Sequence, residues 1–201
     1  MDFTPRPIPP LNQLAKNEAF LIYSLQSGRI PVANQCKSLT EQINRRKWWH
    51  SPPRDKASYK KRGIFLASSY RECEFYGRPL DEPVKVQISN PLVGAEVNII
   101  ENLCGKDSPQ MDAYRTLAGT ITTDVLKVRF QLDADLFAAA KRKGYDAIVV
   151  IAAKNASEVK QGKLPKKTEI NVFDAENTTI DSRVRRQDAL NVKITDLFKG
   201  I

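Results

Sequence analysis

A single histidine, His50, stands in the whole chain, and only three cysteines: Cys36, Cys73 and Cys104, with no CxxC pair. One histidine excludes a His-rich metal centre. The odd, scattered thiols argue against a zinc site or a disulfide framework and suit a reducing compartment. No metal is expected. Long apolar runs are missing too, since none approaches the roughly 18 residues of a membrane span. The opening "MDFTPRPIPPLNQLAK" lacks the basic-then-apolar order of a secretory signal, so a cytoplasmic protein is expected. What remains is ordinary for a globular domain: 201 residues, 41% hydrophobic and 27% charged, enough to bury a core.

The net charge of +9 is unevenly spread. Residues 1–62 hold twelve Lys/Arg against four Asp/Glu, so +8 lies in the first third. Such a surface suits phosphate-bearing or acidic partners, although a solvated basic face accounts for it equally. The densest part is "RRKWWHSPPRDKASYKKR" (45–62), with eight basic residues, one acid, two tryptophans and a tyrosine. Aromatics among cations can stack bases and track phosphates. Adjacent tryptophans in a strand point to opposite faces, which assigns at least one of them to the core.

Apolar spacing predicts helices over "LNQLAKNEAFLIYSLQSG" (11–28) and "PVANQCKSLTEQIN" (31–44), an N-terminal helical extension covering 1–44. The main domain would then run from 45 to 201. Runs rich in Val, Ile and Thr predict strands at 47–50, 63–68, 84–89, 118–130, 147–152, 169–174 and 189–195. A short helix is expected over "LDADLFAAAKRKG", capped by Asp133 or Asp135 and closed by Gly144. Residues 102–115 read as an irregular loop, with or without a helical turn, and the basic stretch 153–167 as a loop. The fold class is α+β.

In "RGIFLASSYRECEFYG" (62–77), "SYRE" has the form of a capping box. Ser69 would accept from the amide of Glu72, and Glu72 would reach back to that of Ser69. Gly77 would end the helix. Cys73 has no histidine near it in sequence to activate it, and any serine or thiol nucleophile would have to recruit His50. Glu169 opens an apolar strand whose Ile170 and Val172 face away from it.

Five segments occur in order: "WWHS", "RGIFLASSYRECEFYG", "VQISNPLV", "GYDAIVV" and "EINVFDAENTTI". Together they resemble the ADP-ribosyltransferase superfamily, in its diphtheria-toxin and poly(ADP-ribose)-polymerase branch, including phage and bacterial members. The resemblance covers about residues 45–180. It implies a split β-sheet core around a cleft for NAD, with a His–Tyr–Glu triad falling on His50, Phe65 and Glu169. Tyr76 corresponds to the family's second tyrosine, at a matching distance from Gly63.

By that resemblance, Glu169 meets the ribose 2′-hydroxyl as the nicotinamide bond breaks. Tyr76 and Phe65 sandwich the nicotinamide, His50 holds the adenine-side ribose, and the backbone of Ser51 meets the carboxamide. The basic run 54–62 would neutralise the pyrophosphate. NAD would be a substrate, with transfer of ADP-ribose to an acidic protein or a nucleic acid in a cytoplasm, as by a phage or bacterial effector. The chain also departs from the pattern. Ser51, followed by two prolines, replaces a usual Gly, and Phe65 replaces the usual Tyr. Lys167 stands where arginine-modifying members carry a second acid, which disfavours arginine as acceptor. The competing Arg–Ser–Glu branch would use Arg46 and Ser68. Two other functions stay open: a nucleic-acid-binding module led by Trp48 and Trp49, and an NAD-consuming RNA 2′-phosphotransferase.

Overall fold

Alternating burial along three strands organises the molecule. The computed structural model describes residues 21–22, 30–117 and 123–180. Among them are strands β1 (Leu21–Ile22), β2 (Trp49–His50), β3 (Ile64–Ala67), β4 (Val84–Val86), β5 (Pro91–Gly94), β6 (Ala147–Ile151), β7 (Thr168–Val172) and β8 (Thr178–Ile180). The α-helices are α1 (Ile30–Arg45), α2 (Ala57–Arg62), α3 (Tyr70–Glu74), α4 (Glu96–Cys104), α5 (Pro109–Thr116), α6 (Thr123–Arg142) and α7 (Ala156–Lys160).

Six strands form one sheet in the order β1-β5-β6-β7-β3-β2, and β4 and β8 form a second. Among the described residues only β5 and β6 run parallel, and the chain between them makes α4, α5 and α6, the long crossover that parallel pairing requires. A single bridge among the described residues, Trp48 with Val84, links the two sheets. The architecture is α+β. No described helix is long and apolar enough to cross a membrane.

Period-two alternation divides the core in two. Ala147, Val149 and Ile151 of β6, Ile170 and Val172 of β7, and Ile64 and Leu66 of β3 share one cluster with Trp48, Val84 and Val86. Leu39 and Ile43 of α1 lie fully buried in that same cluster, so the helix crossing residue 44 is part of the sheet's own core. On the opposite face Ile148 meets Ile99, Tyr114, Leu132, Leu136 and Phe137 from α4, α5 and α6. Trp48 is the core member of its pair, with Nε1 donating to the Ile43 carbonyl; Trp49 stays half-buried.

Several expectations need correcting. Residues 123–130, read as strand, belong to α6, which starts well before the predicted 132–144 helix. Leu132, Leu136, Phe137 and Ala140 give it a buried stripe at helical spacing, and that packing overrides its β-branched residues. Asp133 is no cap; it lies inside the helix, paired with Arg129. Gly144, at φ 82°, does close the helix. Residues 102–115 hold the end of α4 and all but the last residue of α5, where Ser108 accepts from the Met111 amide and Pro109 occupies the first turn. The basic stretch 153–167 contains a short 3-10 turn and α7. Leu21 and Ile22, expected in a helix, pair with Val93 and Gly94 as an edge strand. The rest of 11–28, residues 118–122 and the strand expected at 189–195 lie outside the described residues.

Gly63 separates α2 from β3 at φ 75°, a conformation that strains any residue with a side chain. A Cβ there would come within 2.2 Å of Asn171 Oδ1 and 2.8 Å of the Val172 carbonyl. Gly63→Ala is therefore expected to destabilise the protein by more than about 1 kcal/mol. Urea denaturation reads this directly, and unchanged stability would contradict the β3–β7 packing.

Candidate active site

Register brings the named residues together. In the β3–β7 ladder Ala67 lies opposite Glu169, and Phe65 opposite Asn171. Since Ile64, Leu66, Ile170 and Val172 fill the core, alternation turns Phe65, Ala67 and Glu169 to the other face. The small side chain of Ala67 leaves the space beside Glu169 open. Phe65 stands two residues along, roughly 7 Å away. Glu169 is half-buried, and the Tyr76 hydroxyl donates to its Oε1 at 2.8 Å. Tyr76 thus does more than present a ring: it aims one carboxylate oxygen.

These residues line a cleft of about 760 Å³ measured out to its open mouth. His50, Ser51, Gly63, Phe65, Tyr76 and Glu169, all singled out from sequence, are on its walls, with Tyr59, Arg62, Cys73, Arg129, Phe130 and Asp133. His50 is buried. Its Nδ1 lies 2.9 Å from the Phe65 carbonyl and its Nε2 2.7 Å from the Tyr59 hydroxyl. Burial depresses its pKa to about 4, only partly opposed by the Phe65 hydrogen bond, so the ring is neutral at physiological pH. Burial likewise raises the pKa of Tyr59. The Ser51 hydroxyl donates to the Arg78 carbonyl at 3.3 Å.

One wall escaped the sequence, because the segment carrying it reads as a strand. Arg129 of α6, almost wholly buried, bonds Glu96 Oε1 at 2.5 Å and Asp133 Oδ1 at 3.0 Å. Next to it the Arg62 guanidinium lies over the Phe130 ring, 4.0 Å from the centroid. The Arg129–Asp133 spacing of four was the available signal, one helical turn between opposite charges.

Other candidates find structural partners. Burial, helped by the charges of Glu169 and Glu74, pushes the Cys73 thiol up to about 12, so no thiolate forms near neutrality. Ser69 caps α3 by accepting from the Glu72 amide. The reciprocal half of the capping box is replaced: the Glu72 carboxylate accepts from the Ser68 hydroxyl at 2.8 Å, and Ser68 in turn accepts from the Thr168 amide. Arg46 is spent on the carbonyls of Leu164, Pro165 and Lys166 and does not line the cleft, which removes it from an Arg–Ser–Glu site. Trp48, fully buried, cannot stack on a nucleobase.

Tyr76 and Glu169 also border a wider groove of about 1810 Å³, open to solvent, with Phe75, Arg71, Tyr114 and Lys167 on its walls. Lys167 lies 3.7 Å from Glu72 there. Glu169 therefore faces a narrower cleft and a broader groove. Among the described residues no cluster of His, Cys, Asp and Glu is fit to hold a metal ion. Comparisons with protein-family models, with curated proteins and with solved structures find no match to the chain. Fold and site define an α+β protein with an aromatic-walled cleft around one aimed carboxylate.

Proposed function

We propose that the chain is an NAD-dependent mono-ADP-ribosyltransferase, on an ADP-ribosyltransferase-like fold, that breaks the nicotinamide–ribose bond and passes ADP-ribose to a macromolecule. The observation that carries this is the meeting of Phe65, Tyr76 and Glu169 in one cleft, with the Tyr76 hydroxyl on the carboxylate. A flat, cationic nicotinamide suits an aromatic wall, and Phe65 offers its face without needing a hydroxyl.

As the C–N bond opens, its electron pair leaves with nicotinamide and positive charge builds on the ribose. A carboxylate fixed beforehand in a half-buried site stabilises that charge without having to reorganise. Glu169 takes this role by accepting from the ribose 2′-hydroxyl, as 2-hydroxyl contacts assist glycoside cleavage. Arg62, at the cleft wall, balances the pyrophosphate. The acceptor's nucleophilic atom then bonds to the sugar's anomeric carbon and gives up its proton. The solvent-open groove on the other side of Glu169 would give the acceptor its approach to that carbon. With Lys167 two residues before Glu169, a guanidinium acceptor has no second carboxylate on that strand, and acidic protein or nucleic acid is favoured.

Incubation with NAD labelled on either end tests the proposal. Free nicotinamide should appear while the adenine label becomes bound to protein or nucleic acid. Retention of both labels in intact NAD, with extracts of varied origin supplied as acceptor, would overturn it. Tyr76→Phe keeps the ring but releases Glu169. It is expected to lower kcat about tenfold, the worth of one good hydrogen bond, with KM for NAD changed little. Unchanged kcat and KM would instead assign Tyr76 to stacking alone.

A further inference from the structure

Phe75 is the most exposed large apolar side chain among the described residues, at 42%. Single apolar residues on an open surface are ordinary, but this one lines the wide groove beside Glu169. It caps α3 with helical dihedrals, φ −60° and ψ −28°, so Arg71, four residues earlier, projects from the same side. Arg71 is exposed and lines the groove as well, and its side chain makes no hydrogen bond or ion pair among the described residues. Lys167, the residue before β7, adds a second exposed cation to the groove, 3.7 Å from Glu72. An accessible ring between two cations, at the mouth of a site, is the arrangement that stacks a base and meets its phosphates.

Three acids also border the groove: Glu72, Glu96 and Glu169. An acceptor carboxylate would bring its own negative charge to the reacting carbon, directly beside Glu169, and like charges there count against it. A nucleotide escapes that penalty. The nucleophilic atoms of its base and sugar are neutral, and its charge lies on phosphates some distance away, where Arg71 and Lys167 stand. Its base also offers Phe75 a flat face that an acidic side chain lacks. Bases inside a duplex are already stacked and cannot reach the ring. We infer that the acceptor of ADP-ribose is an unpaired stretch of nucleic acid, laid in the wide groove with a base on Phe75 and phosphates on Arg71 and Lys167. This rests on the transferase activity proposed for the cleft. In the transfer, a lone pair of the strand's nucleophilic nitrogen or oxygen forms the bond to the anomeric carbon. Nicotinamide leaves with the electron pair of the broken C–N bond, and the displaced proton goes to water in the open groove.

Fluorescence anisotropy on the full chain tests the groove. The probes are labelled strands of about 12 nucleotides and mixed sequence, as DNA and as RNA, the same strands in duplex, and poly-glutamate. Phe75→Ala should weaken the single strands about tenfold and leave duplex and poly-glutamate binding unchanged. Arg71→Gln should flatten the logarithmic salt dependence of strand binding by about 0.7, the worth of one phosphate contact, which keeps the test open if Phe75→Ala folds poorly. With NAD labelled on its adenine, the label should then become attached to a single strand, and the strand that takes it, DNA or RNA, names the sugar. Strand binding that ignores both substitutions would overturn the inference. So would label on poly-glutamate or on protein with the strands left unlabelled, a result that keeps the transferase and makes an acidic protein its acceptor. Strand binding with the expected losses, but no nicotinamide release with any acceptor, would overturn the transferase reading and the acceptor role with it, and leave the groove as a strand-binding site.

Discussion

Arg129→Met is expected to destabilise the protein by about 3–5 kcal/mol, because it leaves two carboxylates without their common cation in a nearly dry site. The Arg129, Glu96 and Asp133 side chains are 3%, 12% and 9% exposed, so solvent screens the triad little. Methionine keeps much of the volume, which confines the loss to charge. Against a total stability on the order of 5–15 kcal/mol this is a large fraction. For a chain of this length it amounts to roughly a 10 °C fall in Tm. Urea denaturation measures it, and a loss below about 1 kcal/mol would mean that the triad is wetter than the structure shows. Replacing all three residues with apolar ones should recover most of the stability, because the cost comes from buried charge that has lost Arg129.

The second large effect falls on chemistry. Glu169→Gln should lower nicotinamide release at least about 100-fold while leaving the KM for NAD within a few-fold. Glutamine retains an oxygen that can accept from Tyr76, so the local packing survives. What it removes is the negative charge facing the opening ribose. Stopped assays of nicotinamide release from wild type and variant, at matched Tm, give the comparison. Equal rates would remove Glu169 from the mechanism.

The site was legible in sequence where local pattern suffices. Local pattern gave the strands, through the alternation of Ile170 and Val172 with Glu169 and the β-rich run "GIFLAS", and both strands form; only the resemblance singled out Glu169 and Phe65 on them. Tyr76 was legible as a position, but its bond to Glu169 spans 93 residues and depends on how α3 docks beside β7. Tyr59 was visible only as one aromatic in a basic run. Its meeting with His50 needs α2 to fold back over β2. The largest miss, α6, has a physical cause: two members of its buried face, Arg129 and Asp133, are charged, so the apolar repeat is broken where it should be clearest. Val125 and Val128 add strand propensity that long-range packing overrides.

A crystal structure with a non-hydrolysable NAD analogue tests the central claim most directly. The nicotinamide should lie against Phe65 beside Tyr76, with its ribose 2′-hydroxyl on Glu169. An analogue seated only in the wider groove, or one that leaves the cleft empty at saturating concentration, would contradict it.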